Sequence, residues 1–344
     1  MTYRFVCSVI LTLVYLPLVS AESREDALNK DLFQSIRKND LASVKALLRK
    51  GAAANAKDTD GATPLMHAAI HASPECVKLL LDKGANPNVK NSTGATALMW
   101  GIGDIRKVRL LLQKGADVNA RSNSGKTPLL LAAGYSGASE TVQLLLGKGA
   151  DLKAKDDGEA NAVVLAAESG DVGVLRLLLD KGGDPNSRAG QRFNEIHFGT
   201  LAEVKERLEK RQEAFLGLTA LMVAADQGNR EAIKLLLERG ADAKAVTGGA
   251  STALHSAVKR GDPETIRALL DKGAPVNQKD FEGNTPLIVA AAADGVSADV
   301  IRILVGKGAE LNVKGAEGRT ALAWAKTKGE TETVKALKEA GASE

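Results

Sequence analysis

The stretch KTPLLLAAGYSGASETVQLLLGKGAD, residues 126–151, decides the fold. Thr127-Pro128 reads as a helix start. The threonine hydroxyl can accept from a free first-turn amide, and proline suits the first helical position, where an N–H would have no partner. LLLAA follows, and Ala132 and Ala133 are small enough for a neighbouring helix to approach closely. Gly134 to Ala138 reads as a turn. A second helix, expected over Glu140 to Gly147, sets Val142, Leu145 and Leu146 at helical spacing. Gly149 stops it where a left-handed residue is needed. The polar run after it, ADLKAKDDGE, cannot be helical throughout and reads as an extended turn into whatever comes next.

The same unit recurs along the chain. The glycine after each second helix falls at Gly51, Gly84, Gly115, Gly149, Gly182, Gly240, Gly273, Gly308 and Gly341, at spacings of 33, 31, 34, 33, 58, 33, 35 and 33. The opening threonine falls at Thr63, Thr96, Thr127, Thr219, Thr252, Thr285 and Thr320, in step with the glycines. A fixed period of this length marks a stacked array in which each unit contacts only its neighbours. Composition agrees. Of the 344 residues 44% are apolar but only 3% aromatic, so the core is mostly Ala, Leu and Val, as closely stacked helices require.

These units resemble the ankyrin repeat. The likeness rests on DTDGATPLMHAA (58–69), GADVNA (115–120), STALHSAV (251–258) and EGNTPLIVAAA (282–292), and it extends from about Asp31 to Gly341. The resemblance implies an all-α solenoid of helix–turn–helix units with short β-hairpin fingers. Counting caps there are nine or ten units. The N-terminal cap, residues 22–57, lacks the Thr-Pro opening. The C-terminal cap, residues 315–344, carries Lys and Glu where inner units have Leu. Repeats fill 58–188 and 216–314. The 58-residue gap is read as one degenerate repeat, residues 189–215, clipped in its first helix, and a weak joint is expected there. The unit at 91–120 is short, because GIGDIRK omits about two residues of its first helix.

The first 21 residues read as a signal peptide. Arg4 supplies the positive start, and Phe5 to Val19 are an apolar run of 15 residues, under the ~20 that a spanning helix needs. Small residues then precede a cleavage point expected after Ala21. An exported, periplasmic or secreted protein follows, without stable membrane insertion after cleavage. Cys76 alone remains in the mature chain, so no internal disulfide is possible, which fits a bacterial periplasm or exterior. Cys76 sits at an apolar helix position that other repeats fill with Thr or Val, and it reads as core. Net charge falls from +4 to +3 on cleavage, a weak argument for a polyanionic partner.

No catalytic constellation is apparent, and no cofactor is expected. Ala120 to Thr127 matches a permissive phosphate-loop pattern, but Gly125 and Thr127 are repeat residues and Pro128 follows at once. His67 and His71 lie four apart on one helix, without a third metal ligand nearby in sequence, so a structural role is expected. His255 stands at the ankyrin Thr-x-Leu-His position, where the resemblance implies hydrogen bonds between adjacent turns. Trp100 and Trp324 fill a first-helix slot that is mostly apolar elsewhere, and buried packing is expected. Arg106, Lys107, Arg109, Lys114, Arg121 and Lys126 form a basic stretch without stacking aromatics. It reads as surface, or as a patch for an acidic protein, and not as a nucleic-acid site.

The resemblance implies protein recognition without catalysis, through the finger tips and the first-helix surface. Carried over unit by unit, the partner-binding candidates are Thr59, Asp60, Ile70, His71, Thr93, Asn123, Lys126, Tyr135, Phe215, Leu216, Lys259, Arg260, Phe281, Glu282 and Asn284. Tyr135, Phe215 and Phe281 stand out as scarce aromatics at positions the core does not require. A scaffold or protective partner of another protein is the first reading. An effector acting on a host or competitor cell is the alternative.

Overall fold

The computed structural model describes residues 24–190 and 217–343. Its contacts divide the chain into two units between Asn86 and Pro87. In the first, α1 (Arg24–Arg37) packs on α2 (Leu41–Arg49) and α3 (Pro64–His71), and α3 packs on α4 (Pro74–Asp82).

The second unit carries seven helix pairs among its described residues. They are α5 (Ala97–Trp100) with α6 (Ile105–Gln113), α7 (Pro128–Ala133) with α8 (Ser139–Gly147), and α9 (Ala162–Ser169) with α10 (Val172–Asp180). After these come α11 (Ala220–Gln227) with α12 (Arg230–Glu238), α13 (Ala253–Arg260) with α14 (Pro263–Asp271), α15 (Pro286–Ala292) with α16 (Ala298–Gly306), and α17 (Ala321–Lys326) with α18 (Glu332–Glu339). Each first helix packs on the next first helix, and each second helix on the next second helix. This is the all-α repeat stack that the period implies.

The caps form as the sequence dictates. Thr63, Thr127, Thr219, Thr285 and Thr320 each accept from the backbone N–H three residues on, and Pro64, Pro128 and Pro286 hold the first helical position. Asn161 replaces the threonine of α9 and accepts from Val163 and Val164. Inner first helices are buried nearly all round, which their alanines allow: Ala162 to Ala167 of α9 are all buried. The second helices bury one stripe, such as Val174, Leu175, Leu178 and Leu179 of α10. Cys76 is buried in α4, a core residue as expected.

The helices that flank residues 189–215 are in contact with one another. Helix α9 packs directly on α11, and α10 on α12. The strands β1 (Arg188–Ala189) and β2 (Leu218–Thr219) pair antiparallel, and the Gly217 N–H donates to the Ala189 carbonyl at 3.1 Å. In an ordinary finger Gly61 donates in the same way to Asp58, two residues separating them. Here 27 residues separate the pair. The excess of 25 is the amount by which the 58-residue spacing exceeds 33. Most of the degenerate repeat, residues 191–215, lies outside the described residues.

Stack register is also carried by an asparagine at several interfaces, while Lys153 and Lys244 hold that place at two others. Asn88 donates to Gly115 O at 2.8 Å and accepts from Asp117 N at 2.8 Å. Asn119 binds Gly149 and Asp151, and Asn277 binds Gly308 and Glu310, in the same way. Asn186 makes this pair of bonds to Gly240 (3.3 Å) and Asp242 (2.8 Å). The repeats on either side of the long gap are therefore neighbours in the usual register.

Candidate functional site: finger tips and first-helix ends

A finger is a five-residue hydrogen-bonded turn. Asp58 N–H donates to Ala62 O at 3.0 Å and Gly61 N–H back to Asp58 O at 2.9 Å, while the Asp58 carboxylate accepts from Asp60 and Ala62. The pattern repeats at Asn91–Ala95, Ser122–Lys126, Asp156–Ala160, Thr247–Ser251, Asp280–Asn284 and Gly315–Arg319. The fourth residue is left-handed. Glycine usually fills it, yet Glu159 (φ 59°) and Ala250 (φ 57°) hold it without glycine's freedom. Among the described residues β1 and β2 are the one strand pair, so the fingers are turns more than β-hairpins.

Adjacent fingers are tied together. Asn123 N–H donates to Thr93 O at 2.9 Å and its side chain to Ser92 O at 2.9 Å. Lys90 Nζ donates to Arg121 O, and Arg121 Nη2 to Lys155 O at 2.6 Å. Arg121 is thus a link between fingers as well as part of the basic stretch. One member of that stretch is not surface: Lys107 is buried in α6, while Arg106 is exposed and pairs with Asp104 at 3.0 Å.

His67 and His255 serve these turns. His67 is buried, with Nε2 2.7 Å from the Asp58 carboxylate, which fastens α3 to its own finger. Burial pushes the Asp58 carboxyl up, but bonds from His67, Ala62 and Asp60 outweigh it and leave the pKa below the ordinary value. The His71 ring stacks 6.2 Å from that of His67. Among the described residues no group of three or more His, Cys, Asp or Glu side chains is arranged to hold a metal. His255 Nε2 meets the Asn284 carbonyl at 3.3 Å, while its Nδ1 lies 2.9 Å from the Thr252 hydroxyl and 3.2 Å from the Thr252 N–H. The carbonyl requires a donor and the Thr252 amide an acceptor, so the ring is neutral with its proton on Nε2. This is the turn-to-turn role the resemblance implied.

Of the residues expected to meet a partner, Thr59 and Asp60 lie exposed at a finger tip of the first unit, with Ile70 (49% exposed) and His71 at the end of α3. In the second unit Thr93, Asn123 and Lys126 are exposed on fingers, Tyr135 (55%) lies after α7, and Lys259 and Arg260 end α13. Phe281 (49%) and Glu282 form the tip of the Asp280 finger. Phe215 and Leu216 lie outside the described residues.

Asn284 is a correction. It is buried, its amide oxygen accepts from Ala316 N at 2.9 Å, and its backbone carbonyl meets His255. It closes one finger on the next and is not free for a partner. Sequence reasoning passed over Val246, 39% exposed at the base of the Thr247 finger. Its signal was available: Lys57, Lys90, Arg121, Lys155, Lys279 and Lys314 hold that place elsewhere, and a valine among them is conspicuous. Trp100 and Trp324 are half-buried, and the Arg319 guanidinium lies 4.8 Å over the Trp324 ring.

Helix pairs stacked in register, tied finger to finger, and offering isolated apolar side chains at their tips define a repeat protein built for recognition. The model of the ankyrin-repeat family, described as ankyrin repeats in three copies, matches residues 32–122, 103–189, 196–280 and 276–343. The chain belongs to that family. Ankyrin repeats act in general by binding other proteins. No curated protein matches the chain.

Proposed function

We propose that this is an exported bacterial ankyrin-repeat protein that binds another protein through its finger tips and first-helix ends, as a scaffold or protective partner, without catalysing a reaction. The observation that carries the binding surface is the exposure of Ile70, Tyr135 and Phe281 at positions the stack does not need. Large apolar side chains held in the open cost solvation, and on recognition elements they anchor interfaces. Export rests on the charged start, the short apolar run and the small residues before Glu22. It favours an envelope or extracellular partner over a target inside a foreign cell.

A photo-crosslinking residue at position 281 or 70, compared with one at Arg176 on the second-helix side, tests the surface. The first two should give one common adduct in the producing cell, and position 176 none. An adduct from position 176 alone would move recognition to the second helices.

A further inference from the structure

The shortened third repeat opens a notch beside Tyr135. Helix α5 has four residues where the other first helices of this unit have six to eight, and Gly101 caps it. Its cap is incomplete too: the buried Thr96 hydroxyl has no hydrogen-bond partner. Beside the shortened helix lies a cavity of about 340 Å³ between the inter-helix turns of two adjacent repeats, lined by Ile102, Gly103, Ile105, Tyr135, Ala138 and Glu140 among others. Gly103 is part of the device, since a Cβ there would come within 3.3 Å of the Tyr135 hydroxyl. That volume is near the low end of sites for small ligands, roughly 300–1,000 Å³, and suits one bulky side chain.

The rim carries one exposed acid, Glu140, which forms no ion pair among the described residues. The Asp171 carboxylate beside it is already satisfied, accepting from Gly137 N at 2.7 Å and from Val174 N at 2.9 Å. The nearby Asp104 is already matched by Arg106. We propose that this notch receives one aromatic or branched apolar side chain of a partner polypeptide, with a Lys or Arg beside it in the partner meeting Glu140. The Tyr135 ring forms a wall, as a rigid amphipathic anchor does at interface hot spots. The proposal rests on the protein-binding reading above and names the chemistry of one part of that surface.

The test is selection of a displayed random twelve-residue peptide library on the full-length protein. The counter-target is Gly103→Leu, which fills the notch, with thermal melts to confirm that the variant folds. Enriched peptides should pair an apolar residue with an adjacent basic one. They should lose about tenfold or more in affinity on Gly103→Leu and Tyr135→Ala, and keep it on Tyr135→Phe. Glu140→Gln should weaken them less, and less still at high salt. Peptides that bind wild type and Gly103→Leu equally, or no enrichment at all, overturn the notch. In the first of these cases, loss of binding on Phe281→Ala would leave the wider recognition surface standing.

Discussion

Asn186→Ala probes whether the repeats either side of the long gap are neighbours. The side chain donates to Gly240 O at 3.3 Å and accepts from Asp242 N at 2.8 Å, across 54 and 56 residues of sequence. Asn119 makes the same two bonds at 3.0 and 2.8 Å, across 30 and 32. A hydrogen bond contributes about 0.5–1.5 kcal/mol net, and both asparagines are exposed, so losing two should cost about 1–2 kcal/mol. Because both sites have one geometry, Asn186→Ala and Asn119→Ala should agree within about 0.5 kcal/mol. Urea unfolding followed by circular dichroism measures both. A long repeat array can depart from two-state behaviour, so amide exchange at Asp242 supplies a local reading. The variant should lose protection there. A cost under about 0.3 kcal/mol for Asn186→Ala, beside the full cost for Asn119→Ala, would refute the direct contact of α10 with α12.

Three further outcomes follow from the same geometry. Replacing residues 190–216 by a two-residue turn should leave one folded stack that melts in a single step; melting in two separate steps would show that the segment joins the halves. Leu175, fully buried in α10, should cost about 2–5 kcal/mol as Leu175→Ala in denaturant unfolding, whereas the exposed Arg176→Ala should stay within about 0.5 kcal/mol. His255 carries a pH dependence: burial holds its pKa below 6.5, outweighing its bond to Asn284 O and the attraction of Asp280, with Lys259 lowering it further. Above 6.5 the ring is neutral in both states and the stabilising bonds are intact; as pH falls below 6.5 the unfolded chain takes up the proton first and stability drops until the lowered folded value is passed. Thermal melts between pH 7.5 and 5 should show that loss in wild type and less of it in His255→Gln.

Most of the stack was legible because its determinants are local. Thr127-Pro128, the paired alanines and Gly149 each act within a few residues, and each recurs at a fixed offset. His255 was readable for the same reason, its place being set by the opening threonine. What escaped the sequence was non-local. Residues 201–208 repeat the spacing of a second helix and lie outside the described residues; no local signal says that Ala189 bonds to Gly217. Asn284 looked like an exposed finger residue because its burial depends on the following turn at Gly315, whose missing side chain leaves room for it. Lys107 was assigned to the surface because charge suggests solvent, while its helix turns it inward. The notch at Tyr135 was half visible: the short helix could be read, but not the space it leaves.

Affinity capture from the cell envelope tests partner recognition most directly. The bait is the protein from Glu22 onward, and the control carries Ala at Ile70, Tyr135 and Phe281. One envelope protein should be retained by the bait and lost by the control while thermal stability stays the same. Equal retention by both would contradict recognition through the finger tips and first-helix ends.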